Sequence, residues 1–222
     1  MKINAIIFGA TGMIGQGVLI ECLESNDVET VLAVGRRSCD TTHPKFQEII
    51  HTDFLDYSVI EDKLKGYNAC FFCLGVSSTG MSEADYHLIT HDYAVKAAEV
   101  LSRRNPEMTF CFISGAGTDE TLNSRLMWAR VKGKAENSLK KFPFKNLYLM
   151  RPALIQPLKG VKSSYTIYKF LGPFFPLLKK MPKYVTTTEQ VGQAMINSVL
   201  FGAEKQTLEN IDLVRLAKRA TD

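Results

Sequence analysis

The chain has 222 residues, 45% of them hydrophobic and 23% charged, with a formal net charge of +4. A chain of this length buries a sizeable core without staples, so one large domain over residues 1–222 is expected. No Lys/Arg block argues for a nucleic-acid partner, and no stretch approaches the roughly 20 apolar residues of an integral membrane segment.

Short β-branched or aromatic runs alternate with longer helical periods, the pattern of a parallel sheet covered by helices. The first strand is Ile3–Phe8 and a helix follows over Met13–Glu24. Strands are predicted at 30–34 and 47–51, a helix at 58–65, and a fourth strand at 69–74. A polar loop at 76–82 leads to a long helix over 83–104, halted before Pro106. A strand at 109–114, a helix at 123–141 and a strand at Asn146–Arg151 come next. The order then weakens. Residues 157–185 mix proline, lysine and aromatics. A helix at 189–201 carries Val191, Ala194, Met195, Ser198 and Val199 on one face, with Thr188 as its N-cap. A last helix is expected at 210–218. The architecture that follows is α/β: a doubly wound parallel sheet with helices on both faces and a small C-terminal substrate-side segment at 156–187.

Between the first strand and the first helix stands GATGMIG, with Gly9, Gly12 and Gly15 spaced G-x-x-G-x-x-G. Strand before and helix after give this pattern the context of a Rossmann dinucleotide loop. Gly9 allows the turn off the strand, Gly12 lets a pyrophosphate approach the backbone, and Gly15 lets helix and strand pack closely. Thr11, Met13 and Ile14 complete the loop. The amides around Gly12–Ile14 are expected as unpaired donors at a helix N-terminus, where partial positive charge gathers. The alternative is a glycine turn without a ligand.

An NAD site usually has Asp or Glu at the end of the second strand, holding the ribose hydroxyls. Here that place reads Val34, Gly35, Arg36, Arg37. A guanidinium fork suits the 2′-phosphate dianion, so NADP(H) is preferred over NAD(H). Solvated surface arginines are the alternative. Asp53, after the third strand, is a candidate acceptor for the adenine amino group with Phe54 flanking the ring. A plain turn aspartate competes with that reading.

Taken together, GATGMIG, VGRR, Asp53–Phe54, Cys73-Leu74-Gly75, VKGKAE (131–136) and RPALIQP (151–157) resemble the atypical short-chain dehydrogenase/reductase superfamily. The resemblance is nearest to its Tat-interacting oxidoreductase-like branch, related to the NmrA-like group. It covers nearly the whole chain, including Asp92-Tyr93 and LENIDL near the end. It implies a Rossmann sheet with the cofactor across the strand ends. By the same resemblance Leu74 and Gly75 line the cofactor cleft, Lys132 bonds the nicotinamide ribose, and the loop at Pro152 backs the nicotinamide.

Conventional members use Ser, Tyr and Lys, the last two four residues apart on one helix face. The ammonium lowers the phenol pKa and the phenol moves the proton. Four residues before Lys132 stands Trp128, and an indole does not titrate usefully. The literal Tyr165–Lys169 spacing follows the wrong strand. Ser114 falls in the family's serine region or is only a strand-end serine; the second hydroxyl position there is Gly115. Tyr86, Tyr93 or Ser77–Thr79 are candidate substitutes. His87 and His91 have metal-pair spacing but no evident third ligand, which favours an ordinary helix surface. The segment 165–184, with Phe170, Phe174, Phe175, Leu177 and Leu178 among lysines, reads as a lid, a homodimer face or a membrane-surface patch; a lid is preferred.

Cys70 and Cys73 form C-x-x-C inside a strand, where period two sends them to opposite faces, so buried thiols are expected. No secretory signal precedes the first strand, and a reducing cytoplasmic location is expected. Three functional readings stand. The first is an NADP(H)-dependent oxidoreductase on an unknown small carbonyl or quinone-like molecule. The second is an NADP(H)-sensing regulatory protein without turnover. The third, a nucleotide-sugar epimerase or dehydratase, is poorer because those enzymes also need the tyrosine.

Overall fold

The computed structural model describes residues 2–157 and 182–219. Strands β1 (Ile3–Phe8), β2 (Val28–Gly35), β3 (Phe46–Ile50), β4 (Ala69–Phe72), β5 (Thr109–Ile113) and β6 (Asn146–Arg151) build a sheet, all pairs parallel. With a seventh strand, Thr207–Glu209, beside β6, the order is 3-2-1-4-5-6 and then the last strand. This is the Rossmann-like α/β fold, and the strand order reverses between β1 and β4. Ligands of such sheets sit at that reversal, outside the carboxyl ends of the strands.

Two further short strands, β7 (Leu154–Gln156) and β8 (Val185–Thr187), pair parallel in a separate ribbon, which makes Thr207–Glu209 β9 in chain order. The expected segment 156–187 lies outside the described residues except at its two ends. Tyr165, Lys169 and the aromatic residues 170–178 fall wholly outside them.

The helices are α1 (Met13–Glu24), α2 (Glu83–His87), α3 (Tyr93–Arg104), α4 (Met127–Leu139), α5 (Thr188–Phe201) and α6 (Asn210–Leu216). Alternation along each strand divides the core. Ile3, Ala5 and Ile7 of β1 pack with α1, α5 and α6, whereas Ile6 and Phe8 face α3 and α4. Cys70 belongs to the second side and Cys73 packs on the first. Burial holds both thiols well above their ordinary range, and all five cysteines are free.

Three expectations need correction. Residues 58–65 form only a 3-10 turn at Glu61–Leu64, with Leu64 its one buried residue. Three or four residues is the usual limit for such turns. The long helix is interrupted: a π turn, Leu88–Asp92, separates α2 from α3. The N-cap of α5 is Thr187, not Thr188. Its hydroxyl accepts from the Gln190 amide while the Gln190 side chain returns to the Thr187 amide, a reciprocal capping box. The predicted face of α5, from Val191 to Val199, is buried as expected.

Candidate functional site

The glycine loop sits at the strand-order reversal. Gly9 has φ +78°, and a methyl group on it would meet the Leu74 backbone at 2.7 Å. Only glycine fits both the dihedral and the approach of the chain leaving β4. A methyl on Gly15 would overlap the Gly9 carbonyl oxygen, so α1 packs directly on its own turn. At Gly12 the nearest atom to such a methyl is the Gly9 oxygen, at 3.3 Å. Gly12 caps α1 and has no side chain to satisfy the first-turn amides of Met13 and Ile14. Its own amide, expected among the free donors, is instead spent on the Gly9 carbonyl at 2.9 Å. The remaining amides and the open face above Gly12 fit a diphosphate.

Beside this loop a narrow crevice is lined by Thr11, Val34, Gly35, Arg37 and Ile50. Arg36 and Arg37 are exposed, and neither guanidinium has an ion-pair partner among the described residues. A carboxylate does approach from β3, which sequence order conceals. Glu48 spends its two oxygens on the Ser38 hydroxyl (2.8 Å) and the Cys39 amide (3.0 Å), bracing the loop after the arginines.

Phe54 does not flank a ligand. It is 1% exposed, and its ring packs in the core against Phe8, His51, Tyr57 and Tyr93. An aromatic side chain gains more from that desolvated cluster than from an exposed crevice wall. Asp53 is exposed and makes a turn, its Oδ1 accepting from the Leu55 amide at 2.9 Å.

At the ends of β5 and β6 the other motif residues converge. A methyl on Gly115 would lie 3.9 Å from both Lys132 Cδ and Trp128 Cζ3. The two side chains of α4 therefore meet over the glycine that replaces the family's second hydroxyl. Gly117 lies under the same indole, a methyl there meeting Cη2 at 3.4 Å. Lys132 Nζ donates to the Ile113 carbonyl at 3.1 Å. Burial pushes its pKa down to about 8, against the attraction of Glu136. Ser114 is buried at the strand end, 2.9 Å from the Thr118 hydroxyl, which also donates to the Gly115 carbonyl. Thr118 gave no sequence signal. Pro152 is buried, and its carbonyl accepts from the Ala116 amide at 2.9 Å, tying the two loops together.

Sequence reasoning missed the brace behind these loops. Glu136, the last residue of VKGKAE, is fully buried and pairs with Arg151, the first of RPALIQP. Arg151 also reaches Glu120 at 2.6 Å and Glu209 of β9 at 3.3 Å. The Glu136 contact above all holds the guanidinium protonated. Asn210 of LENIDL accepts from the Ala153 amide and donates to the Pro182 carbonyl, both at 2.9 Å. Of the substitutes for tyrosine, Tyr86 is buried, Tyr93 packs on Phe54, and Ser77 bonds Thr79.

The chain matches the model of the NAD dependent epimerase/dehydratase family over residues 5–122. It is 25% identical to mitochondrial protein FMP52 of Chaetomium globosum, the alignment covering 96% of both chains. It is 23% identical to protein HTATIP2 of Rattus norvegicus, over 97% of this chain and 89% of that one. Bordetella bronchiseptica WbmF, solved with NAD+, shares the fold at a TM-score of 0.68 and 16% identity, over 96% of this chain and 77% of WbmF. The expectation of a cytoplasmic location is overturned by these relatives: FMP52 proteins of further fungi carry the same mitochondrial name. No helix of the described residues is long and apolar enough to cross a membrane. With its glycine loop at the strand reversal and its lysine helix beside β5, the chain belongs to the NAD dependent epimerase/dehydratase family, within the atypical short-chain dehydrogenase/reductases.

Proposed function

We propose that the chain is an NADP(H)-dependent oxidoreductase acting on a small carbonyl or quinone-like molecule. The observation that carries the cofactor choice is the pair Arg36 and Arg37, without an ion-pair partner among the described residues beside the crevice of Thr11 and Ile50, with the nearby Glu48 already committed to Ser38 and Cys39. The diphosphate rests on the first-turn amides of α1, and Leu74 and Gly75 border it from β4. Asp53 is at most a peripheral contact.

A bound nicotinamide supplies or accepts hydride. The protein's part is positioning and proton control. Lys132 orients the ribose from its anchor on Ile113. With a pKa near 8, its Nζ holds a proton at neutral pH and releases it within reach of physiological conditions. The Trp128 indole covers Gly115 and Gly117 and excludes water from the same corner. Pro152 backs the ring, and the substrate enters on the side of β7 and β8. Ser114 serves the loop by fixing Thr118.

Trp128 favours a second reading, a cofactor-sensing protein without turnover, because acid–base groups typically contribute about 10²- to 10⁴-fold and the indole supplies none. Replacing Arg36 and Arg37 by alanine tests the first reading. NADPH affinity should fall about 10- to 100-fold, the loss of one charge-assisted bond or more, with NADH affinity nearly unchanged. Equal losses for the two nucleotides would remove the arginine argument. The single tryptophan reports binding by fluorescence. Trp128→Tyr should raise NADPH oxidation against a quinone and carbonyl panel; a lower rate would make the indole part of a working site.

A further inference from the structure

The helices α2 and α3 are joined by an unusual turn. In an α-helix, position i+5 lies about 140° round the axis from position i. The π turn Leu88–Asp92 bonds i to i+5 and brings the two back together. Asp92 is thereby stacked on His87, while His91 stays beside it. Both imidazoles present Nδ1 to one carboxylate: His91 at 2.7 Å and His87 at 3.3 Å from Asp92 Oδ1. The rings lie 4.3 Å apart.

Two observations point to a ligand. The His91 ring is fixed from behind by α4, its Nε2 lying 3.0 Å from the Ser138 hydroxyl. That is the outer bond that metal-ligating histidines make, and it leaves Nδ1 turned toward Asp92. Second, His87 Nε2 has no hydrogen-bond partner among the described residues, so the ring's one polar contact is through Nδ1, on the side of Asp92.

We propose that His87, His91 and Asp92 form a site for one divalent cation of the zinc class, where the π turn packs on α4 and apart from the residues of the cofactor crevice. The three ligand atoms already lie within 4.8 Å of one another. Around a tetrahedral ion with bonds of 2.0–2.1 Å, neighbouring ligand atoms are about 3.3 Å apart. Small side-chain adjustments reach that spacing from the distances here. Two imidazoles and one carboxylate select borderline cations over magnesium or calcium. Three protein ligands leave the fourth position to water. Asp92 is the most exposed of the three, its side chain 38% accessible, so an ion can enter from solvent. Protons compete with the ion for the imidazole nitrogens, so affinity falls in acid. Exposed Lys134 of α4 opposes the ion through His91 and keeps the site weaker than a closed structural zinc centre.

The test is titration of Co²⁺ into the untagged, full-length, metal-free protein, followed by its visible ligand-field absorption and by displacement with Zn²⁺. One equivalent should saturate the signal. Asp92→Asn and His87→Gln should abolish it, and Ser138→Ala should weaken it about tenfold. Circular dichroism of each variant establishes that the helices persist; if Asp92→Asn unfolds, His87→Gln at the more open histidine decides. A protein that gives no saturable signal, or one whose affinity survives both substitutions in folded protein, overturns the site.

Discussion

Lys132→Met separates what the site needs from what the fold prefers. In the folded chain the Lys132 pKa is about 8, against an ordinary value of 10.5. The ammonium is therefore disfavoured where it sits, by about 3 kcal/mol near neutrality at 1.36 kcal/mol per unit. The sign is fixed by proton counting. Between the two pKa values the unfolded chain binds the extra proton, so wild-type stability rises with pH across that window. Below it the whole penalty is present. Methionine fills similar apolar volume and carries no charge, but it forfeits the bond to the Ile113 carbonyl, worth about 1 kcal/mol. The variant should then be more stable than wild type by about 2 kcal/mol near pH 7, and by about zero near pH 9.5. Urea unfolding of cofactor-free protein at the two pH values measures both differences, and the other titrating groups cancel in the comparison. The same variant should bind NADPH more weakly. A stability difference that does not change with pH, or a variant less stable at neutrality, refutes the reasoning.

Two further substitutions probe the scaffold. Glu136→Gln leaves Arg151 facing a neutral amide and should cost about 3 kcal/mol in urea unfolding, the low end for a broken buried pair because Glu120 and Glu209 still reach the guanidinium. Gly15→Ala sets a methyl against the Gly9 carbonyl, backbone against backbone, and should cost about 3 kcal/mol. Its NADPH affinity should drop with it; a thermal shift within error of wild type would mean that the turn gives way freely.

The central strands are legible in the sequence because nearly every residue of β1, β4, β5 and β6 is buried and they read as largely apolar runs. Ile3–Phe8 and Asn146–Arg151 appear with their full bounds. The last strand does not, since Thr207–Glu209 has one buried residue and owes its conformation to the ladder with Leu149, Met150 and Arg151. The π turn is equally hidden: His87 and His91 keep their spacing whether or not a residue is inserted into the helical ladder. Phe54 illustrates a different limit. An aromatic after a strand reads equally well as a ligand's neighbour or as core, and only Phe8, Tyr57 and Tyr93 decide between them. The corner at the ends of β5 and β6 divides the same way. The spacing of Trp128 and Lys132 is visible in the chain, but their meeting over Gly115 depends on the β5 turn. Glu136 and Arg151 each stand in a legible motif, yet nothing local tells that one neutralises the other.

Gly17 and Gly192 have no room for a side chain because α1 and α5 touch there, Gly17 against Thr188 and Gly192 against Glu21. The amide-bearing helix at the front of the chain is thus clamped by one assembled from its far end. Nucleotide occupancy should consequently slow amide exchange as far away as residues 188–201, and severing the chain ahead of α5 should abolish nucleotide capture even though every loop residue survives.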